Sequence, residues 1–268
     1  MAMIQTMKQS YQSRYLQEEK LTLISPNLIE DLVAKSDQSI RLINFWKALA
    51  ICHTVLSDRP DADNPSKVEY KAESPDEAAL VSAARDVGFV FLNRTHANIE
   101  IEVMGQIENY VPLRVLEFNS SRKRMSTIVR TPDNRILLIC KGADSVIYQR
   151  LTADHDQEVI ASTTQYLEEF ANAGLRTLCI SSKYVTEEEF SSWSRIYDKA
   201  CAAIEDREDK IEAASELIEG GLTILGATAL EDKLQEGVPD AIAQLHKAGI
   251  KLWILTGSYS SIFDFARR

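Results

Sequence analysis

Three observations predict an α/β chain. Residues Phe118 to Asp144 read as two strands joined by a turn. Helix-start and helix-stop signals alternate with strand patterns along most of the remainder. After Gly221 a strand, a helix and a second strand follow in close succession. In the central stretch, Met125, Thr127 and Val129 fall on one face of a strand and Ser126, Ile128 and Arg130 on the other. Arg135 to Cys140 is almost continuously apolar, the pattern of a strand covered on both faces. Thr131-Pro132-Asp133-Asn134 between them supplies turn chemistry: Pro presets φ, and Asp and Asn bond their own backbone. A pairing of Arg130 with Arg135 across this turn sets Lys141 opposite Arg124.

From the amino end, residues 1–20 are polar, Gln-rich and unpatterned, which predicts an arm, and Ser25-Pro26 opens a short helix with Pro in its first turn. Arm and helix together make a first segment, 1–39. Ile40 to Leu56 predicts a longer apolar helix, and Asp58 to Lys67 a loop rich in Asp, Pro and Asn. Val68 and Tyr70 suggest a strand. Ser74, Pro75 and Glu77 then have the spacing of an N-cap, a first helical residue and the third residue of a capping box. Leu80, Ala83, Ala84 and Val87 keep one apolar face, and Gly88 is the stop. Strands are expected at Phe89–Leu92 and Ile99–Val103, and another from Tyr110 to Phe118 leads into the central hairpin. Helix 158–173 ends at Gly174, and a strand runs from Leu175 to Val185. Thr186 with Glu189 caps a helix whose Phe190, Trp193, Tyr197 and Ala200 face inward. A charged helix or bend at 205–210 precedes a helix from Ile211 to Glu219. Strand Leu222–Leu230, helix Val238–Ala248 and strand Ile250–Leu255 form a βαβ unit, which implies parallel pairing. Ligands sit at the carboxyl ends of such strands, here Glu231-Asp232-Lys233 and Thr256-Gly257.

The composition narrows the function classes. At 268 residues, with 45% hydrophobic and 26% charged residues, the chain can bury a substantial core and is not a disordered tract. A net charge of −10 argues against nucleic acid as a partner. The four cysteines and four histidines are scattered, without C-x-x-C or a metal-ligand cluster, so reduced buried thiols in a cytosolic setting and no metal site are expected. No apolar run approaches the ~20 residues that a spanning helix requires, and a soluble chain is expected.

Chemistry concentrates on the hairpin. Phe118, the basic cluster Arg122, Lys123 and Arg124, and Lys141 with Gly142 at the open end of a strand suit an anionic, ring-bearing ligand, of which ATP is the commonest. A solvated loop beside a core phenylalanine is the plainer alternative. The phosphate-loop pattern G-x-x-x-x-G-K-[ST] is absent.

The words FNSSRKRMS and ICKGAD, with KAESPDEAALV before them and AGLRTL after, resemble the nucleotide-binding domain of P-type ATPases, in particular the phospholipid-flippase branch. The resemblance implies an α+β nucleotide-binding domain at 40–215, with a mainly antiparallel sheet flanked by helices. At 216–257 it implies part of a parallel, haloacid-dehalogenase-like phosphorylation domain, followed by a departing tail at 258–268. It implies nucleotide contacts at Glu77, Phe118, Ser120, Lys123, Lys141, Gly142, Arg176, Thr177, Thr256 and Gly257, with Glu77 facing adenine and Arg176 reaching phosphate. ATP is the implied ligand and Mg2+ arrives with it. The implied partners are the transmembrane, actuator and phosphorylation parts of a lipid pump, with this chain on its cytosolic side. The family's DKTGT nucleophile does not occur, and Thr256-Gly257-Ser258 stands where the family reads Thr-Gly-Asp. No catalytic residue is therefore expected, and the chain by itself is not expected to pump. The alternative is an interaction fragment that keeps the fold without the nucleotide.

Overall fold

A computed structural model describes residues 15, 25–58, 67–232 and 237–253. Thr256, Gly257, Lys233, the expected tail and all of the expected arm but Tyr15 lie outside the described residues. The elements are α1 (Pro26–Val33), α2 (Asp37–Ile51), β1 (Leu56–Asp58), β2 (Glu69–Lys71), α3 (Pro75–Val87), β3 (Phe89–Arg94), β4 (Ile99–Val103), β5 (Gln106–Leu116), β6 (Arg124–Arg130) and β7 (Ile136–Gly142). They continue as α4 (Asp144–Tyr148), α5 (Gln157–Asn172), β8 (Arg176–Val185), α6 (Glu187–Cys201), α7 (Arg207–Ile218), β9 (Thr223–Leu230) and α8 (Val238–Lys247). Tertiary contacts divide the chain into 1–230 and 231–268.

Strands β3 to β9 form one seven-stranded sheet in sequence order, antiparallel at every pairing, while β1 and β2 make a separate two-stranded ribbon. The sheet has a core on each face. Met125, Val129, Ile139 and Ile180 join residues of α2 and α3 on one side. Ile128, Ile136, Leu138 and Cys140 join Ile147, Trp193 and Ile218 on the other. This two-sided burial is what the apolar run of β7 anticipates. Helix α2 touches β3 and β4 at one end of the strand order and β9 at the other, so the sheet curls around it. The close approach is visible at Gly226, where a Cβ would come within 2.9 Å of the Phe45 ring.

Four expectations need correction. Strand β9 does not open a parallel unit: it pairs antiparallel with β8, Arg176 opposite Leu230 and Thr177 opposite Ala229. The physical reason is the α6–α7 helix pair between them, which returns the chain to the free edge of β8 in the opposite direction. Ile250–Trp253, expected as a strand, is irregular, and Ile254 and Leu255 lie outside the described residues. The hairpin register is one residue off the expected pairing: Arg130 faces Ile136, Met125 faces Lys141 and Arg124 faces Gly142. Thr131 N donates to Arg135 O at 2.8 Å, which closes a three-residue loop with Asn134 at φ +63. Finally, α2 stops at Ile51 rather than Leu56, because side chains take over its last carbonyls. Arg94 donates to Ile51 O at 2.7 Å and to His53 O, and the His53 ring donates through Nε2 to Ala50 O at 2.9 Å.

Candidate nucleotide site

Helix α3 begins as expected, with Ser74 at the N-cap position, Pro75 in the first turn and Gly88 in the left-handed conformation at its end. The capping box is not formed. Ser74 makes no side-chain cap bond, and the Glu77 carboxylate turns elsewhere. Its Oε1 accepts from Lys141 Nζ at 2.6 Å, and its Oε2 accepts from Thr54 N at 3.0 Å and Thr54 Oγ1 at 2.8 Å. The reason is charge: a Lys141 ammonium only 7% exposed at the end of β7 requires a counter-ion, and α3 supplies it. Burial acts to raise the Glu77 carboxyl, but the Lys141 ammonium and the Lys141 and Thr54 donors outweigh it, so the group lies below its ordinary value.

The neighbouring carboxylate does the same for the second expected cation. Asp76 Oδ2 lies 2.9 Å from an Arg176 guanidinium nitrogen at the start of β8. Two consecutive residues in the first turn of α3 thereby gather Lys141 and Arg176, which are 35 positions apart in the chain, at one place. Alternation along β8 puts Arg176 on the side of Leu178 and Ile180, facing α2 and α3, and Thr177 on the opposite side with Cys179. Thr177 is therefore not brought beside Lys141.

Phe118, Ser120 and Lys123 belong to the turn that precedes β6. Phe118 is 61% exposed, so it is no core residue, and Ser120 and Lys123 are exposed as well. The turn is closed by Lys123 N donating to Asn119 O at 2.9 Å, with Lys123 at φ +50. It lies against the end of β7, where Ala143 N donates to Lys123 O at 3.1 Å. Gly142 makes this approach possible. A Cβ there would sit 2.6 Å from Arg124 Cβ and 2.7 Å from Lys123 O.

The basic cluster separates on folding. Only Lys123 faces solvent; Arg122 and Arg124 are buried around Glu219, which is itself fully buried. Arg122 reaches Glu219 Oε1 at 2.5 Å and Arg124 reaches Oε2 at 2.7 Å, while Ser126 donates to Oε1 at 2.5 Å. Arg124 and Arg150 also share Glu216, each at 2.7 Å from its Oε1. These two arginines hold the turn in place rather than offering charge to a ligand.

Thr54, Asp76 and Glu219 escaped the sequence reading. Thr54 falls inside a helix expected to continue to Leu56, and Glu219 falls at the expected end of another. The adjacent carboxylates of Asp76-Glu77 were the one available signal. Among the described residues there is no group of His, Cys, Asp and Glu able to hold a metal ion, and no helix long and apolar enough to cross a membrane.

A curled antiparallel sheet with helices on both faces, an exposed aromatic on the turn packed against the end of β7, and a buried lysine on that strand, is consistent with a nucleotide-binding domain. Residues 41–237 match the sequence profile of the P-type ATPase cytoplasmic domain N, and the chain belongs to that family. It is similar to phospholipid-transporting ATPase DNF1 of Chaetomium thermophilum, at 50% identity over 256 residues, covering 95% of this chain and 16% of that protein. It is similar to phospholipid-transporting ATPase dnf2 of Schizosaccharomyces pombe at 49% over 259 residues, 96% of this chain and 18% of the relative. The human phospholipid-transporting ATPase IC is 47% identical over 239 residues, 89% of this chain and 18% of that protein. The chain thus spans less than a fifth of the length of these relatives.

Proposed function

We propose that this chain binds ATP at the start of α3 and serves as the nucleotide-binding part of a phospholipid-transporting P-type ATPase. The observation that carries the reading is that the two expected ligand cations, Lys141 and Arg176, are gathered at the first turn of α3, on consecutive carboxylates. Phe118 offers a free aromatic face for an adenine ring to stack on. Glu77 and Lys141 offer an acceptor and a donor side by side, and Lys123 and Arg176 offer solvent-facing cations to the phosphates. Mg2+ accompanies the phosphates and supplies charge neutralisation at their oxygens. In the pump, the γ-phosphoryl group goes to an aspartate of the phosphorylation domain, and lipid transport is driven by its gain and loss. The transmembrane, actuator and phosphorylation parts are this chain's partners there, and it works on the cytoplasmic side of the membrane.

One observation favours a second reading, an interaction module without nucleotide: Lys141 and Arg176 are already neutralised by protein carboxylates. Calorimetric titration of the chain with Mg·ATP separates the two. Saturable binding with Kd on the order of 0.1–1 mM, roughly 4–5.5 kcal/mol, is expected, and it should be lost in Lys141→Ala. Absence of saturable heat in a folded wild-type chain would reject the nucleotide reading.

A further inference from the structure

The hydrogen bonds of Glu77 leave little freedom in what it can accept. A carboxylate offers about four acceptor positions, two on each oxygen. Thr54 occupies both on Oε2, through its backbone N–H at 3.0 Å and its hydroxyl at 2.8 Å, and Lys141 Nζ occupies one on Oε1 at 2.6 Å. One position remains, on Oε1, directly beside the lysine ammonium. The site thus presents a single open carboxylate acceptor beside the remaining N–H donors of the ammonium.

Thr54 is held firmly enough to keep that arrangement. It follows the last turn of α2, where buried His53 spans the chain by donating from Nε2 to Ala50 O and accepting Val55 N–H at Nδ1, 3.1 Å away. The ring packs edge-on against Phe91 at 4.5 Å. Burial, with Arg94 and Lys141 nearby, lowers the His53 imidazole to about 3, so it stays neutral and keeps both bonds at ordinary pH. Arg94 clamps the carbonyls of Ile51 and His53.

A purine edge tests such a pattern by its own donors. The adenine edge has one amino donor beside one ring-nitrogen acceptor, which matches a single open acceptor next to an ammonium. The guanine edge has an oxygen acceptor followed by two adjacent N–H donors, and it needs a carboxylate with both oxygens open. Only the Thr54 hydroxyl separates the two cases, because without it Oε2 regains a free position.

We propose that Thr54 is a specificity-determining residue, whose hydroxyl caps Glu77 Oε2 and makes the site select adenine over guanine nucleotides. This rests on the nucleotide reading given above, and the test keeps the two distinguishable. Kd values for Mg·ATP and Mg·GTP are measured by titration calorimetry on the wild-type chain and on Thr54→Ala, Thr54→Val and Thr54→Ser, with thermal melting of each. In wild type ATP should bind more tightly. Removing the hydroxyl in Thr54→Ala or Thr54→Val should shrink the GTP-to-ATP Kd ratio about three- to tenfold, the size of one net hydrogen bond, and Thr54→Ser should restore it. An unchanged ratio in the two hydroxyl-free variants, or an equal loss of both nucleotides in all three, would make Thr54 a scaffold residue and overturn the inference alone. A folded wild-type chain that binds neither nucleotide overturns the nucleotide reading and this inference with it.

Discussion

Replacing Glu219 by alanine removes a fully buried carboxylate from between two arginines, Arg122 at 4% exposure and Arg124 at 1%. The charge-assisted bonds from Arg122 at 2.5 Å and Arg124 at 2.7 Å disappear, as does the one from Ser126 at 2.5 Å. Arg124 keeps Glu216 as a counter-ion, but among the described residues Arg122 keeps only the Glu117 carbonyl, at 2.7 Å. Breaking a buried pair from one side leaves an uncompensated charge and costs about 3–5 kcal/mol. For a domain of this size that lowers the melting temperature by roughly 6–20 °C. Because Arg122 also braces the turn that carries Phe118, ATP affinity should fall at temperatures where the variant is still folded. Urea unfolding followed by tryptophan fluorescence measures the loss, with Glu187→Ala as the control. Glu187 pairs with Arg130 of the same strand, but at the surface, and its removal should barely move the midpoint. A Glu219→Ala loss below about 1 kcal/mol, or one no larger than that of the control, would refute the buried-hub argument.

Phe118→Ala should weaken ATP binding by about 1–3 kcal/mol with little change in melting temperature, since the ring is 61% exposed; an early-melting variant with normal affinity would make Phe118 a structural residue. Gly142→Ala should destabilise by about 1–3 kcal/mol, because its Cβ would meet backbone and Cβ atoms at 2.6–3.0 Å that cannot swing aside; unfolding midpoints check this. The Glu77 carboxyl lies below its ordinary value of 4.5, so its contribution to stability is present above that pH and is lost as pH falls through the folded value. Lys141→Met removes the largest influence lowering Glu77 and leaves burial opposed by the Thr54 donors alone, so the carboxyl rises relative to wild type and the acid loss of stability should begin at higher pH; melting temperatures between about pH 3 and 6 measure the displacement, and coincident curves for the two proteins would contradict it.

What the sequence determined by itself is local. The start of α3 at Ser74-Pro75 and its stop at Gly88, the cap of α6 by Thr186, the facing of β6 and the doubly covered β7 all follow from signals within a few residues. The four motif words were also enough to single out the family, and of the residues they imply, Glu77, Lys141 and Arg176 come together at the first turn of α3. Tertiary structure decided where charge goes. Nothing near Arg122 and Arg124 marks them for burial and Lys123 for solvent, because the carboxylate that draws them in lies 97 and 95 residues further along the chain. The capping box at Glu77 had the right spacing, yet a buried lysine 64 residues away outcompeted a local backbone N–H for the carboxylate. The same holds for the direction of β9, which looked parallel within its own β-α-β pattern and became antiparallel because the sheet edge available to it was β8. Local propensity depends on neighbours in the chain. An ion pair or a sheet edge depends on which distant group arrives to pair with it, and only the folded chain brings that group in.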